Sequence, residues 1–344
     1  MHGLTRVSIA TSGLALLVIV LGAYVRLSDA GLSCPDWPGC YGQIVVPSGE
    51  FEIAIAEGEF PSVPVEAAKA WKEMTHRYLA GILGLAIAAI AILTFRHRHA
   101  PNVPKLLPAL LVALVIFQAL LGKWTVTSLL KPIVVTAHLL GGLLTVSLLV
   151  WLSLRYLARS RNWQRGIAPR GLNGCLFIGI SALAIQLGLG GWTSANYAAL
   201  ACPDFPLCNG SVWPAMNISE GFQLHRELGQ TLAGQLISHD GLVSIHFLHR
   251  LGALVTLVTL GTAGVLGVRQ SAGVVRAAAS LMLLLIVVQI ALGVSVVVNA
   301  RPLDFAVLHN ANAALLLLSV LTLSFVSRYR VSTLVESRLP STGV

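Results

Sequence analysis

Residues 7–27 read VSIATSGLALLVIVLGAYVRL, with a single charge, Arg26, near the far end. A helix needs roughly 20 mostly apolar residues to cross about 30 Å of hydrocarbon, and this stretch has them. It lacks a small-residue cleavage site, and Tyr24-Val25-Arg26 continues directly out of it. It therefore reads as a retained span and not as a signal peptide. Seven further stretches pass the same test, at 77–95, 106–126, 133–154, 172–193, 249–268, 278–299 and 305–326. The composition of all 344 residues agrees: 56% are hydrophobic and 11% charged, with mean hydropathy +0.79. A soluble domain carries about 25% charged residues, so soluble, disordered, collagenous and secreted disulfide-rich classes are excluded. The expected fold class is all-α, a polytopic membrane protein of eight transmembrane helices.

Eight spans put both termini on one side. The segments on that side hold Arg6, Arg96, Arg98, Lys105, Arg155, Arg159, Arg161, Arg165, Arg170, Arg269, Arg276, Arg328, Arg330 and Arg338, 14 of the 23 Lys+Arg. The opposite segments hold every acid but Glu336. Short loops rich in Lys and Arg face the cytoplasm, so both termini are expected there, in a bacterial inner membrane. The net charge of +9 is then a topology signal. No nucleic-acid partner is expected, since no basic stretch is interleaved with aromatics. Two segments on the outer, periplasmic side are long, about 28–75 and 194–245, and long segments in a compact protein are usually functional.

The chain is also written twice. LGAYVRLSDAGLSCPDWPGCYG at 21–42 is answered by LGGWTSANYAALACPDFPLCNG at 189–210. MTHRYLAGILG around His76 matches FLHRLGALVTL around His249, and QALLG from Gln118 matches QIALG from Gln289. AHLLGGLL at His138 is matched by LHNANAALL at His309. The order is kept and the offsets stay between 168 and 173. Four spans per copy give both copies the same orientation, a parallel repeat. The expected organisation is two tandem four-helix bundles: 1–154, a basic cytoplasmic linker 155–171, then 172–330, with a cytoplasmic tail 331–344.

Ten histidines divide by setting. His2, His97, His99, His225 and His239 lie in hydrophilic segments and read as solvated. His76, His138, His249 and His309 lie in or at the start of apolar spans, where ionisable groups are costly and mark function. All four fall at similar depth below the outer surface, His138 roughly 9 Å into its span at 1.5 Å per residue. One His from each of two facing helices is a grip for a planar cofactor in a bundle core. Imidazole suits zinc, copper and iron, but two His alone leave a bare metal open, and no carboxylate cluster repeats beside them. A haem needs only two axial ligands, so haem between His76 and His138, and again between His249 and His309, is the economical reading. Without a CxxCH motif it would be held non-covalently. Gly81, Gly84, Gly141, Gly142 and Gly252 would let a flat ring approach, or serve close helix packing. Arg77 and Arg250 are candidates to meet haem propionates, with interface snorkelling the alternative.

The halves differ at one polar position. Glu73 lies three residues before His76, on the same helical face, whereas His246 stands at the matching place in the second half. A carboxylate beside one haem only suggests chemistry in the first half and electron-transfer or cofactor duty in the second; a dipole-favoured Glu near a helix start is the bland alternative. His246 itself suggests no role. Cys34 and Cys40, and Cys202 and Cys208, frame CPDWPGC and CPDFPLC. Each pair can close a disulfide in an oxidising compartment, either as a static staple or as an exposed redox-active pair. Cys175 reads as a packing residue.

These features together resemble the heme A synthase family: the eight spans, EMTHR at 73–77, His249-Arg250, His138 and His309 in the fourth and eighth spans, and the paired CPDxPxC loops. The resemblance covers nearly the whole chain. It implies oxidation of a ring methyl of haem O to a formyl group by successive hydroxylations, giving haem A for terminal oxidases. It implies His76 and His138 around the substrate haem, His249 and His309 on a haem b, Glu73 as catalytic carboxylate, and a redox or haem-handling role for Cys34 and Cys40. Heme O synthase and cytochrome oxidase assembly factors would be neighbours, with an unidentified electron acceptor; a homo-oligomer is compatible with it. The alternative function is a diheme membrane cytochrome b moving electrons between quinol and an outer acceptor. A transporter with a midplane site is disfavoured by the shallow histidines and by spans without Gly/Pro breaks.

Overall fold

An apolar chain in lipid must satisfy its backbone polar groups internally, which a continuous helix does. A computed structural model, describing residues 2–97, 104–166 and 168–330, shows eight such helices among the described residues. The first four are α1 (His2–Leu27), α3 (Ala67–Arg96), α4 (Leu106–Thr127) and α5 (Pro132–Ser160). The second four are α6 (Leu172–Ala195), α8 (His239–Gln270), α9 (Gly273–Val298) and α10 (Leu303–Val326). Two short helices, α2 (Glu50–Glu59) and α7 (Ile218–Gly221), lie in the long connections. The chain is an integral membrane protein.

Packing follows two rings. α1 packs on α3 and α5, and α4 also packs on α3 and α5. The second four repeat this, with α6 on α8 and α10, and α9 on α8 and α10. In each bundle two helices therefore face one another across the centre: α3 and α5 in the first, α8 and α10 in the second. The bundles join through α5–α6, α1–α10 and α5–α10 contacts. Leu83, Ile87 and Ile90 of α3 meet Leu111 of α4 and Val146, Leu149 and Leu152 of α5 in one core. Leu260, Met282, Ile286, Val320 and Leu323 belong to the second. Leu85 and Phe177, each 74% exposed, point outward, where acyl chains would solvate them.

Several helices exceed the apolar windows. α3 begins at Ala67 and not at 77, α8 at His239 and not at 249, and α5 runs on to Ser160, past the expected 154. The polar first turns of α8 are held by the Ser238 hydroxyl, which caps Gly241 N–H at 3.1 Å, so helix outlasts hydrophobicity. Residues 161–171 contribute a two-residue strand, β1 (Gln164–Arg165), antiparallel to β2 (Tyr329–Arg330). The linker is thus tied to the end of α10. The expected tail 331–344, like Arg98 and His99, lies outside the described residues.

Candidate functional site

The two cysteine loops fold alike. Both disulfides, Cys34–Cys40 and Cys202–Cys208, are closed. Asp36 accepts from Tyr41 N–H at 2.7 Å and Gly42 N–H at 2.9 Å; Asp204 accepts from Asn209 N–H at 2.7 Å and Gly210 N–H at 2.8 Å. Tyr41 and Asn209 adopt left-handed φ of 54° and 53°, each followed by a glycine at φ 74°. The sulfurs are not exposed as a redox pair in a short loop would be: the four cysteines are 0–1% accessible, packed with Tyr41, Val46 and Met74 in one loop and with Val243 and Phe247 in the other. The carboxyl of Asp204 is held below the usual carboxylate range, chiefly by the Gly210 N–H and then by that of Asn209. A depressed native pKa gives stabilisation in full force above the ordinary aspartate value of about 3.9, lost as pH falls through the lower native value. Hydrogen exchange at Asn209 and Gly210, corrected for intrinsic rates, should therefore stay slow through that ordinary value and quicken only below it. Quickening that begins above it would contradict this.

Each loop is clasped by the helix below it. Glu73, 4% exposed, accepts from the N–H groups of Ser33 at 3.0 Å and Cys34 at 3.1 Å, and pairs with Arg77 at 2.6 Å. Arg77 donates to the carbonyls of Asp36 at 2.9 Å and Pro38 at 3.2 Å, and also to that of Gly39. In the second half His246 takes the place of Glu73: its Nδ1 accepts the Cys202 N–H at 3.2 Å, and Arg250 Nε reaches its Nε2 at 3.4 Å. Arg250 donates to Leu207 O at 2.8 Å and Cys202 O at 2.7 Å. So His246, which suggested nothing in the sequence, anchors a loop. The two arginines, which the sequence offers as propionate candidates or as snorkelling side chains, direct their guanidinium groups to loop carbonyls, and Arg77 also borders the cavity below.

That cavity, about 1150 Å³, opens between the helices of the first bundle. It exceeds the roughly 300–1,000 Å³ of common small-molecule sites. Its wall is mainly apolar and includes His76, His138, Glu73, Arg26, Gly81 and Gly142. His76 on α3 and His138 on α5 are half-buried, and each has an Nδ1 without a hydrogen-bond partner. His138 and His309 both lie six residues past the start of their helices. His76 and His249 lie about two and a half to three turns inside theirs, and not at the helix openings. In the second bundle His249 on α8 and His309 on α10 also face across the centre and lie within electrostatic reach of one another.

Residues 5–321 match the family model described as Cytochrome oxidase assembly protein. The chain belongs to this family. It is 42% identical over 322 residues to the heme A synthase of Shewanella oneidensis, covering 92% of this chain and 94% of that protein. It is 30% identical over 331 residues to the heme A synthase of Caulobacter sp., covering 91% and 92%. With that of Shouchella clausii it shares 28% over 308 residues, covering 87% and 88%.

This member of the family gathers His76, His138 and Glu73 at one cavity and keeps His249 and His309 together in the other bundle. Among the described residues no three His, Cys, Asp or Glu side chains form a group able to hold a bare metal ion. Two imidazoles on the wall of a large apolar void fit a macrocycle that brings its own equatorial ligands. Of the glycines singled out in the sequence, Gly81, Gly84 and Gly142 line the cavity. Gly141 and Gly252 instead seat the amides of Gln118 and Gln186, where an added Cβ would collide. Sequence reasoning missed Arg26. It lines the cavity, donates to Tyr197 OH at 2.8 Å and Ser194 O at 3.2 Å, and keeps a buried Nε without a partner. Its signal was a lone cation ending an apolar span, aligned with Ser194 in the other copy.

Proposed function

We infer that this chain carries out the synthesis for which its relatives are named, the making of haem A, by oxidising a ring methyl of haem O to a formyl group. The observation that carries the reading is the cavity with His76 and His138 facing across it and one buried carboxylate, Glu73, on its wall. In this reading the first bundle takes haem O as substrate, which His76 and His138 would hold, and releases haem A. His249 and His309 would hold a resident haem b in the second bundle.

A haem b bound there would supply one-electron chemistry, and every other task falls to the chain. His76 and His138 hold the substrate at a fixed depth and orientation. The apolar wall from α1, α3 and α4 keeps bulk water from a reactive ring edge. Arg26 brings a positive charge to the wall, suited to an anionic group such as a propionate. Glu73 brings negative charge to the wall, suited to stabilising positive charge developing at the methyl carbon or to accepting a proton at its carboxylate. Arg77 and the Ser33 and Cys34 N–H groups keep that carboxylate in place. The buried disulfides act as staples that shape the loop ends on which Glu73 and Arg77 act. The distribution of Lys and Arg supports termini in the cytoplasm and haem sites toward the periplasmic face.

The test is extraction of the haems from the purified full-length protein, followed by mass analysis. Haem O, haem A or a hydroxylated intermediate alongside protohaem is the expected result. Protohaem alone, from cells that make haem O, would overturn the reading in favour of a diheme electron carrier.

A further inference from the structure

The four helices that do not carry the central histidines carry a repeated device. α4, α6 and α9 each hold a glutamine four residues before a glycine: Gln118 and Gly122, Gln186 and Gly190, Gln289 and Gly293. α1 has Val18 and Gly22 at the matching positions. In all four the glycine faces the imidazole of a neighbouring helix. A Cβ built there would stand 2.8 Å from the His76 ring, 3.6 Å from His138, 3.1 Å from His249 and 3.0 Å from His309. The glycines at His76, His249 and His309 therefore make tight notches, while a Cβ at Gly122 would meet His138 at ordinary contact distance. The glutamines do not act equally.

In the second bundle they hold the rings. The Gln186 amide nitrogen lies 3.0 Å from His249 Nδ1 and 3.0 Å from the His249 carbonyl. That of Gln289 lies 3.2–3.3 Å from the ring nitrogens of His309. Gln289 is itself braced, its oxygen accepting from Asn312 at 2.8 Å while Asn312 also donates to Leu285 O at 2.9 Å. Among the described residues of the first bundle no side-chain amide meets the imidazoles; instead the backbone of Val18 and of Gln118 comes near His76 and His138. Position 18 is valine, the Gln118 amide is pressed on Gly141 with its nitrogen unpartnered, and Nδ1 of both His76 and His138 is unpartnered.

We propose that Gln186 and Gln289 are positioning residues that lock the second pair of imidazoles on a permanently held haem. The absence of such side-chain clamps among the described residues then makes the first pair the exchanging one. This rests on the reading of both His pairs as haem sites. An imidazole that binds iron through Nε2 carries its proton on Nδ1, so the amide must turn to present its oxygen to that N–H, a turn that at Gln289 exchanges the Asn312 contact for the ring. The Gln186 oxygen is buried and unpartnered, so it is free to take that role. Outer partners of this kind fix ring orientation and raise ligand basicity, and losing one usually costs 10–100-fold in metal affinity. A site that must admit haem O and release haem A has reason to lack them.

The test uses full-length protein in detergent and follows transfer of each haem to excess apomyoglobin, with extraction to identify the haem remaining. Gln186→Val, which copies Val18, and Gln289→Leu should speed protohaem release by about 10–100-fold and shift the spectrum of the bound protohaem. Gln186→Glu, which keeps an acceptor, should stay close to wild type and serves if the valine variant folds poorly. Val18→Gln should slow release of haem from the first site. Protohaem release within twofold of wild type in both Gln186→Val and Gln289→Leu would overturn the proposal. His249→Ala separates the two failures, because protohaem retained in that variant would remove the underlying site assignment itself.

Discussion

Glu73→Gln is expected to lower haem A formation by about 10²–10⁴-fold, the usual worth of a positioned acid or base, while the protein folds and binds haem. The reasoning turns on two roles that one side chain combines. An amide oxygen still accepts from Ser33 and Cys34, so the clasp on the cysteine loop survives, but the negative charge at the cavity wall is gone. Glu73→His is the sharper companion, because His246 shows that an imidazole can accept the loop N–H in the matching position. That variant should hold its loop and make no product. If either variant forms haem A at the wild-type rate, the carboxylate is only a loop anchor like its counterpart.

The second large effect is expected from removing one histidine of each pair. His76→Ala should lose the haem O and haem A fraction on purification and retain protohaem. His249→Ala should lose protohaem, and haem A formation with it if the resident haem serves the reaction. Each substitution opens space where an aromatic ring met a glycine, but Gly22 and Gly190 lie near the loop ends of their bundles, away from the Leu83–Ile90 and Leu260–Leu323 cores. Folding should therefore persist, as helical circular dichroism and gel filtration would show. Loss of both haem types from either variant would contradict two separate sites.

Much of this architecture was legible because lipid imposes a simple rule on sequence. Apolar runs of span length became helices at all eight expected places, and the matched loops around Cys34 and Cys202 share turn geometry down to the left-handed Tyr41 and Asn209. The helix starts were not legible at α3 and α8, because hydropathy reports where lipid begins while a helix can continue through polar turns such as those after Ser238. The burial of the cysteines was missed because it depends on what 43–66 and 211–238 lay over them. His246 and the three glutamines were unreadable for a related reason. Their meaning lies in a contact with another helix, and only the bundle order brings Gln186 to His249 or Gln289 to His309. The matching of Gln118 with Gln289 was visible as repetition, but repetition alone could not show that only one of them reaches a ring.

An experimental map of the protein purified with its haems would test the central claim most directly. The account predicts one macrocycle between α3 and α5, with His76 and His138 on opposite faces and Glu73 beside its edge, and a second between α8 and α10 with the Gln186 and Gln289 amides on its imidazoles. Macrocycle density outside the bundle centres, or these four imidazoles turned away from any iron, would contradict it.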